Sequence, residues 1–217
     1  MNIPRELLVG YQHFRKEKFA EYAEIYRASA EEQTPRTMVI GCADSRVDPA
    51  IIFSAGPGEL FVVRNIGALV PPFETSGTYH GTSAAIEFAV LSLKVENIVV
   101  LGHGQCGGIS ASLTITEKRP VGRFIQPWVD IITDLRDELL DRDEPINAQA
   151  RQNALERMAI QLSMHNLTTF PFVSEALEAN RLSLHGAWFS IADAKLRWLD
   201  WDSGTFEPIE SKTNGLA

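Results

Sequence analysis

The sequence predicts an α/β fold in which helices cover both faces of a mainly parallel sheet. Three short, apolar and β-branched runs predict buried strands, over residues 37–42, 59–65 and 97–102. Longer segments with helical spacing alternate with these runs, as crossover helices alternate with parallel strands. With 217 residues, of which 45% are hydrophobic and 22% charged, the chain is expected to form one domain over residues 1–217.

The helices are predicted from apolar residues spaced three or four positions apart. Residues 5–30 predict an amphipathic helix that Gly10 could interrupt. Asp48 and Pro49 are a preferred N-cap and a preferred first helical residue, and they predict a short helix. The helix expected over 82–94 is apolar on nearly every face, which predicts burial between layers. The remaining expected elements are a glycine-rich loop over 67–81, helices after Gly108 and over 124–140, 147–166 and 171–180, and a strand pair over 185–191 and 195–200.

Composition and charge argue against several kinds of partner. A net charge of −8 argues against nucleic acid or an anionic membrane surface. No apolar run approaches the roughly 20 residues that span a bilayer. Residues 1–18 are mixed and charged, and lack the apolar core of a secretory signal. Two cysteines cannot form a disulfide framework, so a reduced, cytoplasmic location is expected.

Three metal-binding side chains follow two of the predicted strands. Cys42 ends the first strand, while His103 and Cys106 follow the third. Ligands of an open parallel sheet bind beyond the carboxyl ends of the strands, where neighbouring strand ends bring such side chains together. Two thiolates and an imidazole suit Zn²⁺, and three protein ligands leave a fourth position open. The sequence therefore predicts a zinc site with an open coordination position.

Asp44 and Arg46 lie two and four residues beyond Cys42. In an extended segment, alternate side chains point the same way, so Asp44 can be a fourth ligand or accept a hydrogen bond from a metal-bound hydroxide. The Arg46 guanidinium can hold the Asp44 carboxylate in two hydrogen bonds. The main chemical alternative is a thiol–disulfide switch between Cys42 and Cys106, which the lack of a Cys-x-x-Cys motif disfavours.

Together these motifs resemble the plant-like branch of the β-class carbonic anhydrases. They are CADSRV at 42–47, PGELFVVRNI at 57–66, AAIEFA at 84–89 and GHGQCGG at 102–108. The resemblance implies one zinc ion per subunit, held by Cys42, His103 and Cys106, with an Asp44–Arg46 dyad beside it. It also implies three αβα layers around a parallel four-stranded sheet of order 2-1-3-4 with an antiparallel edge strand. A homodimer or higher homo-oligomer is implied, in which the helical arm 1–32 packs on the partner and the active site lies at the subunit boundary.

Further residues are expected around the substrate. Gln33 and Phe61 match positions that line the substrate pocket in this family, and Phe88 stands where plant-like members often have tyrosine. Phe61, Ile66 and Phe88 would form apolar walls suited to CO₂. Backbone N–H groups at Gly107 and Gly108 could stabilise a developing anion.

Two expectations concern the state of the zinc site and its exchange of protons. His80 is a candidate proton shuttle. The positions matching the family's inhibitory bicarbonate site are Val39, Arg64 and Phe189, of which only the arginine is retained. The resemblance therefore implies an open, water-bound zinc site at neutral or higher pH, without cooperative inhibition by bicarbonate.

The expected reaction is the reversible hydration of carbon dioxide to bicarbonate and a proton, by a zinc-bound hydroxide that the dyad orients. One alternative is hydrolysis of carbonyl sulfide or carbon disulfide at the same zinc. Another is a zinc-binding or redox-sensing protein without turnover. Asp44 and Arg46 favour catalysis, because a purely structural zinc site needs neither of them.

Overall fold

A six-stranded sheet forms the centre of the computed structural model, which describes residues 3–77, 79–115, 120–142 and 147–209. The strand order is β2-β1-β3-β4-β5-β6. The first four strands are parallel to one another, and β5 and β6 are antiparallel to their neighbours. The strands are β1 Thr37–Cys42, β2 Leu60–Asn65, β3 Asn97–His103, β4 Ser183–Ser190, β5 Lys195–Leu199 and β6 Phe206–Pro208.

The predicted order 2-1-3-4 of the parallel strands is confirmed, as is the final strand pair to within two residues. The sheet has two antiparallel strands beyond β4, where one edge strand was expected. The missed strand β6 is three residues long and ends in Pro208, so it carries no alternation that a sequence pattern could reveal.

Helices lie on both sides of the sheet and also form an N-terminal arm. In the arm, a π-helical turn at Phe14–Lys18 joins two α-helices, and the chain stays helical through Gly10. The α-helices are α1 Arg5–His13, α2 Phe19–Ala28, α3 Pro49–Ile52, α4 Gly81–Glu87, α5 Gly107–Leu113, α6 Ile125–Val129, α7 Thr133–Leu140, α8 Ala148–Leu167 and α9 Pro171–Glu178. None of the described helices has both the length and the apolar character needed to cross a bilayer.

Capping residues and local geometry define several of the helix ends. Asp48 caps α3 as predicted, accepting a hydrogen bond from the Ala50 N–H. Asn147 caps the long helix α8 in the same way. After α4 the chain continues in π-helical geometry over Phe88–Leu93 and ends at Lys94, which has a left-handed backbone. The helix predicted over 124–140 is divided by a 3₁₀ turn at Asp130–Ile132.

The core lies on both faces of the sheet, as the alternation of the strands requires. Met38 and Ile40 of β1 pack with α8 residues such as Ile160 on one face. Val39 of β1 packs with Val99 and Leu101 of β3 on the other face. A third cluster surrounds Cys42 and Cys106 at the carboxyl end of the sheet, together with residues of α5, α7 and α8.

Two helical surfaces remain uncovered within a single chain. No residue of α1, α2 or the π turn between them is buried. The prediction that the helix over 82–94 is buried on all sides is wrong, because Phe88 is 45% exposed and Leu91 52% exposed. The apolar residues of that helix lie on two of its sides. Within a single chain, only the side that packs on the sheet is buried.

Candidate metal centre

The three predicted metal ligands meet at the carboxyl ends of two adjacent strands. Cys42 is the last residue of β1, His103 is the last residue of β3, and Cys106 directly precedes α5. One ligand atom from each residue lies within 4.8 Å of the other two, and the two sulfurs are 3.8 Å apart. All three side chains are buried. The strand pairing therefore creates the cluster, as the sequence predicts.

The donor atoms of this cluster fit a zinc ion. The Nδ1 of His103 lies 2.8 Å from the Gly104 carbonyl oxygen, so Nδ1 carries the proton and donates it there. The buried Nε2 then presents a lone pair that has no hydrogen-bond partner among the described residues. An unpartnered imidazole nitrogen beside two thiol groups is the donor set of an open zinc site.

Backbone N–H groups point at both sulfur atoms. Cys42 receives hydrogen bonds from the N–H groups of Asp44 and Gly67. The side-chain hydrogen bond with Cys106 is the main cause that lowers the pKa of Cys42, against the effect of burial. Cys106 receives hydrogen bonds from the N–H groups of Gly108 and Ile109. The pKa of Cys42 is lowered to about 4, whereas the bond to Cys42 and burial raise the pKa of Cys106. The surroundings thus favour thiolate at Cys42, and thiolate is the form that binds a metal.

Asp44 lies beside the cluster and is held by Arg46. The Arg46 side chain donates two hydrogen bonds to the Asp44 carboxylate, at 2.9 and 2.7 Å, and the Arg46 backbone N–H donates a third at 3.0 Å. One Asp44 oxygen lies 4.0 Å from His103 Nε2. Hydrogen bonding to Arg46 holds the pKa of Asp44 well below its usual range. An ionised carboxylate is therefore fixed next to the atom that would bind the metal.

Arg64 holds the loop that carries Asp44. Its guanidinium donates to the Cys42 carbonyl oxygen at 2.8 Å and to the Asp44 carbonyl oxygen at 2.6 Å. It also forms an ion pair with Asp48 at 2.9 Å. Arg64 was expected as the retained member of an anion site, whereas these contacts direct its donors to the loop over 42–48. The other two positions compared with that anion site are strand residues, buried Val39 on β1 and Phe189 opposite His103 on β4.

The helix α5 starts close to the cluster because its first two residues, Gly107 and Gly108, are glycines. A Cβ on Gly108 would lie 2.5 Å from Ile66 Cγ2, so Ile66 packs directly against the start of the helix. A Cβ on Gly107 would meet no atom within 4 Å. The N–H of Gly108 is directed at the Cys106 sulfur. A developing anion would therefore compete with this sulfur for the hydrogen bond from Gly108.

Comparison with known proteins identifies the family of this chain. Residues 37–196 match the family model described as carbonic anhydrase. The chain belongs to the carbonic anhydrase family. It is 36% identical over 204 residues to beta carbonic anhydrase 5, chloroplastic, of Arabidopsis thaliana, covering 94% of this chain and 67% of the relative. It is 32% identical over 200 residues to beta carbonic anhydrase 3 of the same plant, covering 91% and 73%. These matches place it with the plant-like β class.

Solved carbonic anhydrases share the fold. The β-carbonic anhydrase CcaA superposes with a TM-score of 0.88 at 28% identity, covering 94% of this chain and 98% of the other. The Coccomyxa β-carbonic anhydrase, in complex with acetazolamide, gives a TM-score of 0.81 at 26% identity, covering 100% and 97%. A tetrameric enzyme of Sordaria macrospora gives 0.78 at 27%, covering 89% and 95%. Zinc is the cofactor of this family, and the Cys-His-Cys group can hold it.

Three expected pocket residues of this carbonic anhydrase lie away from its own metal cluster. Phe61 pairs with Met38, four residues before Cys42 on β1, which corresponds to about 13 Å along the strand. Phe61 contacts Phe88, with ring centroids 5.8 Å apart. Gln33 is exposed and lines a surface cleft with Arg36 and Glu59. Of the expected apolar walls, the structure places only Ile66 next to the cluster within one chain.

His80 of the enzyme lines a cavity of about 720 Å³ together with Asn65, Ile66 and Trp128. Its Nδ1 lies 3.9 Å from the Glu74 carboxylate, and its buried Nε2 has no partner among the described residues. Ile66 borders this cavity and also packs on Gly108, so the cavity adjoins the start of α5. The shuttle role of His80 stays a prediction.

Glu156 in α8 was missed by the sequence reasoning. It is 2% exposed, and its carboxylate accepts a hydrogen bond from the Cys106 backbone N–H at 3.0 Å. The signal was present in the sequence, because Glu156 follows Leu155 and lies three and four residues before Ala159 and Ile160 on the buried side of α8. A charged residue at a core position indicates a specific buried partner.

Proposed function

We propose that this carbonic anhydrase catalyses the reversible hydration of carbon dioxide to bicarbonate and a proton. The observation that carries the proposal is the buried cluster of Cys42, His103 and Cys106, with the ionised carboxylate of Asp44 4.0 Å from His103 Nε2. When bound, zinc lowers the pKa of a coordinated water towards about 7 and so supplies a nucleophile near neutral pH. The chain's own residues then have to orient that nucleophile and admit the gas.

Asp44 is proposed to orient the nucleophile through one carboxylate oxygen. An ionised carboxylate can only accept hydrogen bonds, so it directs the O–H of a reacting water towards itself and the oxygen lone pair away, towards carbon dioxide. Arg46 holds both Asp44 oxygens and therefore fixes the direction of this contact. The pair is proposed to remain intact at neutral and higher pH, which leaves the fourth metal position open. A crystal structure at pH 8 with Asp44 bound to zinc would contradict this proposal.

The pocket is proposed to be completed by a second chain. Phe61 lies opposite Met38, four residues along β1 from Cys42, and Phe88 contacts Phe61 and is exposed. Gln33 precedes the start of β1, at the opposite end of that strand from Cys42. In a homodimer, Gln33, Phe61 and Phe88 of one chain would line the pocket beside the zinc site of the other chain. The arm over residues 1–32, whose described helices bury no residue in one chain, would pack on the partner. The tetrameric relative of Sordaria macrospora supports oligomer formation.

A complementation experiment tests the shared pocket. A Cys42→Ala chain lacks one zinc ligand, and a Phe61→Ala chain lacks one proposed wall for the site opposite. If pockets are shared, a mixed dimer of these two chains contains one site with all three zinc ligands from the Phe61→Ala chain and an intact Phe61 from the Cys42→Ala chain. Mixing then raises activity above that of either variant alone. Activity that stays at the level of the Phe61→Ala homodimer would contradict the shared pocket.

The reaction is tested by stopped-flow measurement of carbon dioxide hydration between pH 6.5 and 9, on protein of measured zinc content. Asp44→Asn removes the ionised acceptor and is expected to lower kcat by about 100-fold or more while zinc content stays the same. Asp48→Asn is the matched control, because it lies on the same loop and an asparagine keeps the helix cap. Zinc-loaded wild-type protein without hydration activity would refute the proposed function.

The two alternative functions are decided by the same preparation. Turnover of carbonyl sulfide or carbon disulfide faster than that of carbon dioxide would establish the hydrolase. Zinc binding without any turnover, together with reversible oxidation of Cys42 and Cys106, would establish a redox sensor. The cytoplasm is the proposed location, supported by the two free, buried cysteines. Cell fractionation tests this assignment against an organelle such as the chloroplast, named for one relative.

A further inference from the structure

A buried carboxylate joins α8 to the backbone of the metal cluster. Glu156 Oε1 accepts hydrogen bonds from the Cys106 N–H and from Gln152 Nε2, both at 3.0 Å. Glu156 Oε2 accepts a hydrogen bond from Trp188 Nε1 at 3.1 Å. All three partners are donors, so the site uses the carboxyl group only as an acceptor.

The network reaches a second ligand through Trp188. The Trp188 ring packs against Gly104, where an added Cβ would lie 3.0 Å from the ring. Gly104 also supplies the carbonyl oxygen that accepts the proton of His103 Nδ1. Arg157 stacks on the indole ring with its guanidinium carbon 4.7 Å from the ring centroid. The contacts of Glu156 thereby extend to the segment that orients His103.

Gln152 closes the network on the other side of Cys106. Its side-chain amide donates to Glu156 and lies 3.3 Å from the Cys106 carbonyl oxygen. The peptide groups on both sides of the Cys106 Cα are therefore bonded to residues of α8. Since α8 packs on the sheet along its buried face, the position of the Cys106 sulfur is tied to the core.

We propose that Glu156 is a positioning residue of the zinc site. Glu156 holds Cys106 directly, and through Trp188 it holds the segment that contains His103 and Gly104. It touches neither substrate nor metal. The inference depends on the zinc ligands and is independent of the reaction that the enzyme catalyses. Outer contacts of this kind commonly change metal affinity by about 10- to 100-fold when they are removed.

The test measures zinc binding by the full-length protein, with a chromogenic chelator as competitor. Glu156→Gln keeps the shape but places an amide NH₂ group against one of the three donors, and Glu156→Ala removes every acceptor. Both variants are expected to raise the Kd for zinc by about 10-fold or more and to speed zinc release. In cobalt-substituted protein, Glu156→Gln is expected to shift the thiolate-to-cobalt absorption band, which a loss of general stability would not do.

Ser163→Ala is the matched control on the same helix. Ser163 is also buried and accepts a hydrogen bond from the Val70 N–H at 3.1 Å, so its loss weakens α8 without touching Cys106. Its Kd for zinc is expected to equal that of the wild type. Trp188→Phe keeps an aromatic ring but removes the indole N–H that bonds Glu156. It provides a milder test, with an intermediate Kd, should Glu156→Ala fail to fold.

Two results would overturn the inference. One is a wild-type Kd and release rate in folded Glu156→Gln together with Trp188→Phe. The other is an equal loss of zinc affinity in Ser163→Ala. A loss of zinc affinity in Glu156→Gln, in a protein whose wild type never hydrates carbon dioxide, would support this inference and refute the proposed function. The experiments therefore distinguish failure of the inference from failure of the proposed function.

Discussion

Replacing Arg64 by methionine is expected to lower the free energy of unfolding by about 3.5 kcal/mol. Arg64 donates to the carbonyl oxygens of Cys42 and Asp44, and its side chain is only 27% exposed. A hydrogen bond to a charged group contributes about 1.5–3 kcal/mol, and the low end applies to each of these bonds because water reaches the guanidinium. The ion pair with Asp48, which is 40% exposed, adds about 0.5 kcal/mol.

Urea unfolding of the zinc-loaded protein measures this loss. Protein and zinc concentrations have to be fixed, because ligand binding and oligomer formation both shift the apparent stability. Asp48→Asn is the matched control, since it removes the ion pair and keeps a good cap for α3. Its expected loss is below about 1 kcal/mol. The Arg64→Met variant is also expected to lose hydration activity, because the loop it releases carries Asp44.

The stability losses of Arg64→Met and Asp48→Asn together test whether Arg64 stabilises the loop through the two carbonyl oxygens. If Arg64→Met loses no more stability than Asp48→Asn, the bonds to the two carbonyl oxygens contribute nothing. The loop over 42–48 would then be held by Asp44, Arg46 and the cap of α3 alone.

Three further predictions follow from single contacts. Gly108→Ala is expected to cost about 1–3 kcal/mol, measured by urea unfolding, because its Cβ would meet Ile66, whereas Gly107→Ala has open space and should be neutral. Leu91→Asp places a charge on the exposed face of the helix after α4, which is expected to lie in a subunit interface. The charge is expected to dissociate the oligomer and so lower the molar mass measured by light scattering. An unchanged molar mass would place that face outside any interface. Burial lowers the pKa of His185 in the folded chain, so stability should fall as pH drops below about 6.5, where the unfolded chain binds a proton that the folded chain resists. His185→Gln should flatten that slope in unfolding curves measured between pH 7.5 and 5.5.

The strands and the metal ligands were predictable because their signals are local. β1, β2 and β3 are continuous apolar runs between turns, and each was placed within one residue of its observed bounds. Once the strands are parallel and adjacent, Cys42 and His103 must emerge at the same edge of the sheet. The ligand cluster then needs no information beyond the pattern of the strands and the Cys106 spacing.

The residues that were misplaced or missed depend on packing between distant segments. Glu156 and Cys106 are 50 positions apart, and no local pattern links them. The exposure of Phe88 reflects what one chain leaves uncovered, while its sequence pattern records only that the helix is apolar. The contacts of Arg64 with the loop over 42–48 depend on how that loop turns after β1, which the spacing of Asp44 and Arg46 does not define.

The hydrogen bonds to sulfur bear on how strongly zinc can act at this site. Two thiolates formally cancel the charge of the metal, which would weaken its effect on a bound substrate. Four backbone N–H groups, two on each sulfur, draw electron density away from those thiolates. Asp44 with Arg46, and Asp48 with Arg64, form charge-neutral pairs beside the site. The backbone around Cys42 and Cys106 therefore offsets part of the charge that the two thiolates donate. The turn at Gly67 and the start of α5 at Gly108 act on the chemistry by shaping that backbone.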